Sequence, residues 1–282
     1  MKILVTGAAG QLGRELVDVA SSKHDVTGLS RALLDVTDAK AVRSVVATVR
    51  PDVIIHAAAW TAVDACEGDR TKAMLFNGTA TEFVVDAARE VGARVVYVST
   101  DYVFDGTKPT PYVETDQPNP RSVYGISKLA GERAVDPSVD SIVRISWVCG
   151  YHGSNMVKTI LRLAAQQDIL HFVDDQIGNP TIADDAARLI VRIATEHSGG
   201  TWHVTNQGVV SWYEFTRAVM EAARFDPDRV RPVKTRDLTP PRPAPRPANS
   251  VLENRVLLDT GIPLLDDFHV PLSRLVRRLR LG

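Results

Sequence analysis

Lys2-Ile3-Leu4-Val5-Thr6-Gly7-Ala8-Ala9-Gly10-Gln11-Leu12-Gly13, near the start of the chain, decides how the rest is read. Residues 3–6 form a short apolar run rich in β-branched side chains, the composition of a strand buried on both faces. Gln11–Ala20 then carries apolar residues at helical spacing. Glycines between a strand and a helix let the backbone turn tightly and bring its N–H groups to an anion at the positive helix end, as a dinucleotide pyrophosphate requires. The spacing here is G-x-x-G-x-x-G, not the G-x-G-x-x-G of ordinary Rossmann dehydrogenases. Any tight strand-to-helix turn could use three glycines. These weigh more because a clear strand precedes them and a clear helix follows. Gly7, Gly10, Gln11, Leu12 and Gly13 are therefore candidate cofactor-binding residues.

Outward from that stretch the same rhythm repeats. Residues 26–29, Val53–His56, 95–99 and 142–145 are further strand-like runs, separated by helical patterns at Ala39–Val49 and 79–91. Gly92 stands where the last of these would be C-capped. The alternation predicts an α/β fold, a Rossmann-type doubly wound parallel sheet with ligands at the C-terminal strand ends. The second strand would end at Leu29-Ser30-Arg31. An acidic residue there binds the ribose 2′-OH of NAD, whereas arginine accommodates the 2′-phosphate of NADP. Ser30 and Arg31 thus favour NADPH, with NADH left open as a second donor, and Asp35 joins them as a candidate cofactor contact. A surface arginine in a loop is the plainer account of Arg31.

Composition narrows the function by exclusion. A chain of 282 residues with 44% hydrophobic and 24% charged residues is ordinary for a soluble globular protein and long enough for one large domain with a smaller lobe. Its net charge of −1 gives no general attraction to nucleic acid or an anionic membrane. Cys66 and Cys149 form no C-x-x-C, the histidines show no zinc spacing, and there is no G-x-S-x-G nucleophile elbow. No run of 18 apolar residues occurs and the first residues read as a strand, so a cytosolic location is expected.

The rhythm loosens after about residue 147. Helices are expected at 155–166, at 182–196 and from Ser211, where S-W-Y-E is a capping-box pattern. Residues 239–248 hold five prolines, which excludes regular helix or central strand and reads as a stiff connecting loop. Residues 272–281 are amphipathic, with Arg274, Arg277, Arg278 and Arg280 forming a solvated face or a phosphate contact.

Tyr124 and Lys128 lie four residues apart, hence on one face of a helix. A free tyrosine has a pKa of about 10, and a nearby ammonium lowers it by favouring phenolate. Such a pair is common by chance. Ser99-Thr100-Asp101 gives it weight, because a hydroxyl at that strand's end would lie over the nicotinamide position and could donate to a substrate carbonyl as its oxygen gains charge. Together these elements resemble the extended branch of the short-chain dehydrogenase/reductase superfamily. The finer motifs resemble its dTDP-4-dehydrorhamnose reductases: T-D-Y-V-F-D-G at 100–106, Y-G-x-S-K-L-A-G-E at 124–132, R-x-S-W-V at 144–148, A-A-A-x-T-A-V-D at 57–64, D-D-Q-x-G-x-P-T at 174–181 and R-P-x-x-S-x-L at 246–252.

The resemblance implies NADPH-dependent reduction of the C4 ketone of a 4-keto-6-deoxy sugar carried on dTDP, giving dTDP-L-rhamnose. It makes Tyr124 the proton donor, Lys128 its pKa modulator and a ribose ligand, and Thr100 the carbonyl-polarising hydroxyl with Asp101 beside it. Ala57, Ala58 and Ala59 match a segment along the cofactor, and Asn77 matches a helix position that is either functional or a local backbone tie. Thr61, Val63, Tyr102 and Trp147 match the sugar pocket, with a core aromatic as the plainer reading of Trp147; Arg246 is a candidate nucleotide contact. His56 and Cys149 depart from the family pattern, which commonly has Asn and Tyr there. Some members dimerise through Mg²⁺ held by carboxylates; Glu15 matches one such position, the other ligands cannot be placed, and no metal is predicted. A monomer or homodimer is expected. The expected division is a cofactor domain over 1–147, including about 174–200, and a smaller lobe from 148–173 and 201–282. Two other readings stand beside this one. One is a reductase of a different dTDP-4-keto sugar; the other is a non-catalytic NADP-binding subunit like that of methionine adenosyltransferase.

Overall fold

Each apolar run of the first half is a strand, and its alternate residues serve opposite faces. In the computed structural model, which describes residues 1–281, β1 (Lys2–Thr6), α1 (Gln11–Ala20), β2 (Asp25–Leu29), α2 (Ala39–Val49) and β3 (Val53–His56) come first. Then follow α3 (Val63–Gly68), α4 (Arg70–Met74), α5 (Ala80–Val91), β4 (Arg94–Thr100), α6 (Val123–Ala134) and β5 (Ser141–Ile145). Ile3 and Val5, Val53 and Ile55, and Val96 and Val98 join one core, which holds Leu12 and Leu16 of α1. Leu4, Ile54, Val95 and Tyr97 join a second core, with Val42 and Val46 of α2 and Val84 and Val85 of α5. A continuous apolar run is what burial of both sheet faces demands. Gly92 caps α5 in the left-handed conformation, as its position predicts. A π-helical turn, Leu75–Thr79, precedes α5 where the sequence pattern predicts ordinary helix from residue 79.

The second half adds β6 (Val148–Cys149), α7 (Met156–Gln166), β7 (Leu170–Val173), β8 (Ile177–Gly178), β9 (Thr181–Ile182) and α8 (Ala183–Glu196). It continues with β10 (Gly200–His203), β11 (Val210–Ser211), α9 (Trp212–Ala222), β12 (Val230–Val233), α10 (Arg255–Asp259) and α11 (His269–Leu281). The main sheet has six strands in the order β10-β5-β4-β3-β1-β2, every neighbouring pair parallel. α8 packs on α1 in the first core. The edge strand β10 takes the sheet past residue 200, where the sequence places the smaller lobe to begin again. A third core gathers α7, α9 and α11 around Ile160, Phe215 and Leu272. Ser211 and Glu214 complete the capping box that opens α9. Among the described residues no helix is long and apolar enough to cross a membrane.

From β1 the chain goes to β2 on one side, then crosses to β3 on the other. At such a reversal the loops leaving the two central strands diverge and open a crevice at the C-terminal strand ends.

Candidate active site

The crevice between β1 and β3 is a cleft of about 250 Å³. Its walls include Gly7, Gly10, Arg31, Asp35 and Ala57 to Ala59, all expected from the sequence, with Ala9, Leu34, Val36, Trp60, Lys72 and Phe76 in addition. Gly7 has φ 70, and a Cβ on it would lie 2.7 Å from the Ala58 backbone nitrogen. Glycine is therefore required by conformation and by space alike. Gly10 caps α1 without a side-chain acceptor, so the first N–H groups of that helix remain available to an anion in the cleft. Arg31 lies over the Phe76 ring, 4.8 Å from its centroid, and Lys72 lies 4.5 Å from that of Trp60. Asp35 is held below the usual carboxylate range by the Thr37 hydroxyl and backbone N–H.

Other expected cofactor residues stand behind this wall. Leu12 and Gly13 are buried in α1, and Gln11 donates to the Val148 carbonyl at 2.9 Å. The Ser30 carbonyl accepts from Leu33 and Leu34 N–H in the turn after β2. Asn77 clamps the Trp60 backbone, accepting from its N–H at 2.8 Å and donating to its carbonyl at 3.0 Å, and donates to Ser127 Oγ at 2.9 Å. Its side chain is thus a backbone tie between the β3 loop and α6.

Thr100 ends β4 and Tyr124 opens α6, whose N-cap Ser122 accepts from Gly125 N–H at 3.0 Å. The Thr100 hydroxyl donates to Asp101 Oδ1 at 2.9 Å and accepts from Tyr102 N–H at 3.2 Å. Burial raises Asp101 to about 6, against the Thr100 hydrogen bond. The Tyr124 ring meets that of Tyr102 edge-on, centroids 5.5 Å apart, and shares a cluster with Cys66, Ala73, Trp60 and Val63. Burial raises the Tyr124 phenol far above its usual value, while the Thr100 hydroxyl opposes the shift. Lys128, which the spacing predicts would lower that phenol, instead donates from Nζ to the Val98 carbonyl at 2.7 Å and lies over the Tyr97 ring. Burial lowers the Lys128 ammonium to about 7, with Glu132 acting against it. The result is a neutral phenol beside a neutral hydroxyl at the strand end, the protonation state a donor needs.

A second cavity, about 500 Å³, lies on the smaller lobe's side; Tyr102, Gln176, Trp212, Arg242 and Arg246 are in its wall. Trp147 stacks on Trp212, centroids 3.6 Å apart and planes 7° off parallel. Its φ of 46 is unusual for a bulky residue, a conformation that costs about 1–3 kcal/mol and persists where surroundings impose it. Gly178 makes room for its ring, since a Cβ there would lie 2.7 Å from Trp147 Cε2. Thr61, on the loop between β3 and α3, is exposed. Arg246 forms a bidentate pair with Asp64, through Nη1 to Oδ1 and through Nη2 to Oδ2 at 2.8 Å, and Asp64 also accepts from Ala244 N–H at 3.1 Å. The proline-rich segment is thereby strapped to α3. Trp212, Gln176 and Arg242 are not singled out by the sequence, although Gln176 lies in the D-D-Q-x-G-x-P-T motif and Trp212 in the capping box, because they reach the cavity only through tertiary folding.

The remaining features lie elsewhere. Arg274 pairs with Asp185 at 2.9 Å and Arg278 lies 3.9 Å from Glu15, so part of the basic face of α11 is spent on carboxylates. Glu15, Asp18 and His152 offer ligand atoms within 4.8 Å of one another, partners for Glu15 that sequence alone does not place. Cys66 and Cys149 are buried free thiols.

The model of the RmlD substrate binding domain family matches residues 1–281. A dTDP-4-dehydrorhamnose reductase of Streptomyces griseus is 45% identical over 96% of this chain and 91% of its own length. This chain belongs to the dTDP-4-dehydrorhamnose reductase family. Within the family's reach, a crystal structure of the Bacillus anthracis dTDP-4-dehydrorhamnose reductase in complex with NADP superposes with a TM-score of 0.93, at 36% identity, covering 98% of this chain and 99% of that one. The dTDP-4-keto-6-deoxy-D-glucose reductase of Streptomyces niveus is 40% identical over 82% of this chain and 81% of its own.

Proposed function

We propose that this chain reduces the C4 ketone of dTDP-4-dehydro-L-rhamnose to dTDP-L-rhamnose, with NADPH as donor. The observation that carries the reading is the buried pairing of Thr100, at the end of β4, with Tyr124 of α6, whose cluster shares Trp60 with the glycine-walled cleft at the sheet's reversal point. The cleft fits a dinucleotide by its own features: an uncapped α1 N-terminus for the pyrophosphate, and Arg31 with Asp35 at the adenosine end, where Arg31 suits a 2′-phosphate. When bound, NADPH supplies the hydride for C4. Thr100 turns its hydroxyl proton from Asp101 Oδ1, its acceptor in the free protein, to the ketone oxygen and, as negative charge grows there, holds it. Tyr124 then gives its proton to the alkoxide, which is more basic than even a raised phenol. Lys128 holds the nicotinamide ribose, Asp101 holds the Thr100 hydroxyl until the ketone takes its place, and Asn77 fixes the loop that carries Ala57 to Ala59. Val63 and Tyr102 close the sugar side around Tyr124, with exposed Thr61 on the loop before α3 and Trp147 bracing Trp212.

The nucleotide half of the substrate occupies the second cavity, between Trp212 and the arginines of the strap. The division that suits these contacts is a cofactor unit built on the six strands, β10 and α8 included, and a substrate lobe built on α7, α9 and α11. Reaction in the cytosol, by a monomer or homodimer, completes the reading.

NADPH oxidation by the purified chain with enzymatically prepared dTDP-4-dehydro-L-rhamnose, with NADH in parallel, tests it. Rapid turnover to dTDP-L-rhamnose, faster with NADPH, is the expected result. Turnover confined to a different dTDP-4-keto-6-deoxy sugar would favour the second reading, to which the Streptomyces niveus relative lends weight. NADPH binding with no reduction of either sugar would overturn both and favour a binding subunit.

A further inference from the structure

Tyr124, Lys128 and Glu132 succeed one another at intervals of four along α6, so three turns present them on one face. All are buried, at 8%, 2% and 5% exposure. The last two end on consecutive residues of β4. Lys128 Nζ donates to the Val98 carbonyl at 2.7 Å, and Glu132 Oε1 accepts from the Ser99 hydroxyl at 2.5 Å. The same carboxylate accepts from Arg144 of β5, from Nε at 2.9 Å and from Nη2 at 2.8 Å. Glu132 is thus held from two strands as well as from its own helix, with its charge brought to the strand segment where the ammonium sits.

A buried ammonium without a counter-charge gives up its proton. The groups facing Lys128 come from several elements. β4 presents the Tyr97 ring, 4.1 Å from Nζ, whose phenol burial holds neutral. β3 presents His56, buried and lowered to about 3, hence an uncharged imidazole. α6 itself presents Tyr124, also neutral, and β5 presents the Arg144 cation, which reaches the region through Glu132. The anion that acts on Lys128 is Glu132.

We propose that Glu132 is a positioning residue for the reduction: it keeps Lys128 charged for its ribose contact, and Ser99 and Arg144 hold Glu132 to that task. The inference rests on the role given to Lys128 above. Full-length protein carrying ¹⁵N-labelled lysine, its Lys128 side-chain signal assigned with Lys128→Met, allows the ammonium to be titrated directly. In Glu132→Gln the Lys128 midpoint should fall by about one pH unit or more, and the alkaline limb of kcat/KM should move down with it. Glu132→Asp, which keeps the charge, should restore the limb toward the parent profile. Loss of packing alone would lower activity at every pH and leave the midpoint in place. If Arg144, left unpaired, prevents Glu132→Gln from folding, the double variant Glu132→Gln/Arg144→Gln removes the buried pair together, and the midpoint should still fall, by less than in the single variant, because a cation leaves with the carboxylate. An unmoved midpoint in a folded variant, with Lys128→Met inactive, overturns the inference and leaves the reductase reading standing. Full turnover by Lys128→Met removes the role of Lys128 itself.

Discussion

On the cofactor side of the site, Gly7, Gly10 and Ala57 to Ala59 present little more than backbone to the cleft; on the substrate side, Tyr102, Trp212, Arg242 and Arg246 present long side chains drawn from distant parts of the chain. The first wall is made by local conformation. Gly7 must be glycine because its φ is 70 and the Ala58 nitrogen leaves no room for a Cβ. The second is made by tertiary ties such as Asp64 to Arg246, which join residues 182 positions apart. A wall of backbone accepts a common ligand part, the dinucleotide. A wall of tethered side chains can be altered one contact at a time, which suits the side that must tell one sugar nucleotide from another.

Tyr124 stands at the seam between the two, and its loss should give the largest effect. Tyr124→Phe keeps the ring, its edge-on contact with Tyr102 and the buried cluster, and removes only the hydroxyl that carries the proton. General acid catalysis by a positioned group contributes about 10²- to 10⁴-fold, so kcat should fall by that much while the dissociation constant for NADPH stays within about twofold. Steady-state kinetics with a parallel fluorescence titration measures both. A kcat close to the parent's would take Tyr124 out of the chemistry.

The same contrast explains what could be read in the sequence. The glycine turn, both faces of the sheet, the Ser211 capping box and the Tyr124–Lys128 spacing are local patterns, and the structure carries each of them in place. The cation–π seats of Arg31 and Lys72, the stacking of Trp147 on Trp212 and the strap to Asp64 follow from packing between distant elements, and no local period encodes them. Lys128 shows the limit most clearly. Its spacing from Tyr124 is a local fact, but the partner of its Nζ is set by β4, and the sequence cannot show that Val98 rather than the phenol receives it. The edge strand β10 was likewise hidden by its distance in sequence from β5, its neighbour in the sheet.

A test of intermediate size falls on the cofactor side, where Arg31 is one of two cations that stand beside the backbone wall. Arg31→Asp replaces the cation at the adenosine end by the charge that suits a ribose hydroxyl. A charge-assisted contact is worth about 1.5–3 kcal/mol, so the ratio of kcat/KM for NADPH over NADH should drop by roughly tenfold to a hundredfold. If the ratio does not move, discrimination belongs to another cation of the cleft, and Lys72 is the next residue to change.

The smallest effect is expected at the strap. Arg246 holds Asp64 below the usual carboxylate range, chiefly through their hydrogen bonds, yet the two side chains are 16% and 32% exposed. Solvent screens a pair at that exposure, and such pairs contribute about 0–1 kcal/mol. Asp64→Asn should therefore raise KM for the sugar nucleotide by only about two- to fivefold, leave kcat unchanged, and leave KM for NADPH unchanged, because the strap borders the substrate cavity and not the cofactor cleft. High salt should move the parent enzyme's sugar-nucleotide KM in the same direction, since it weakens the same attraction. Should Asp64→Asn instead depress kcat by an order of magnitude, the strap would be acting on Tyr102 and through it on Tyr124, and the two walls would be one mechanical unit rather than two independent ones.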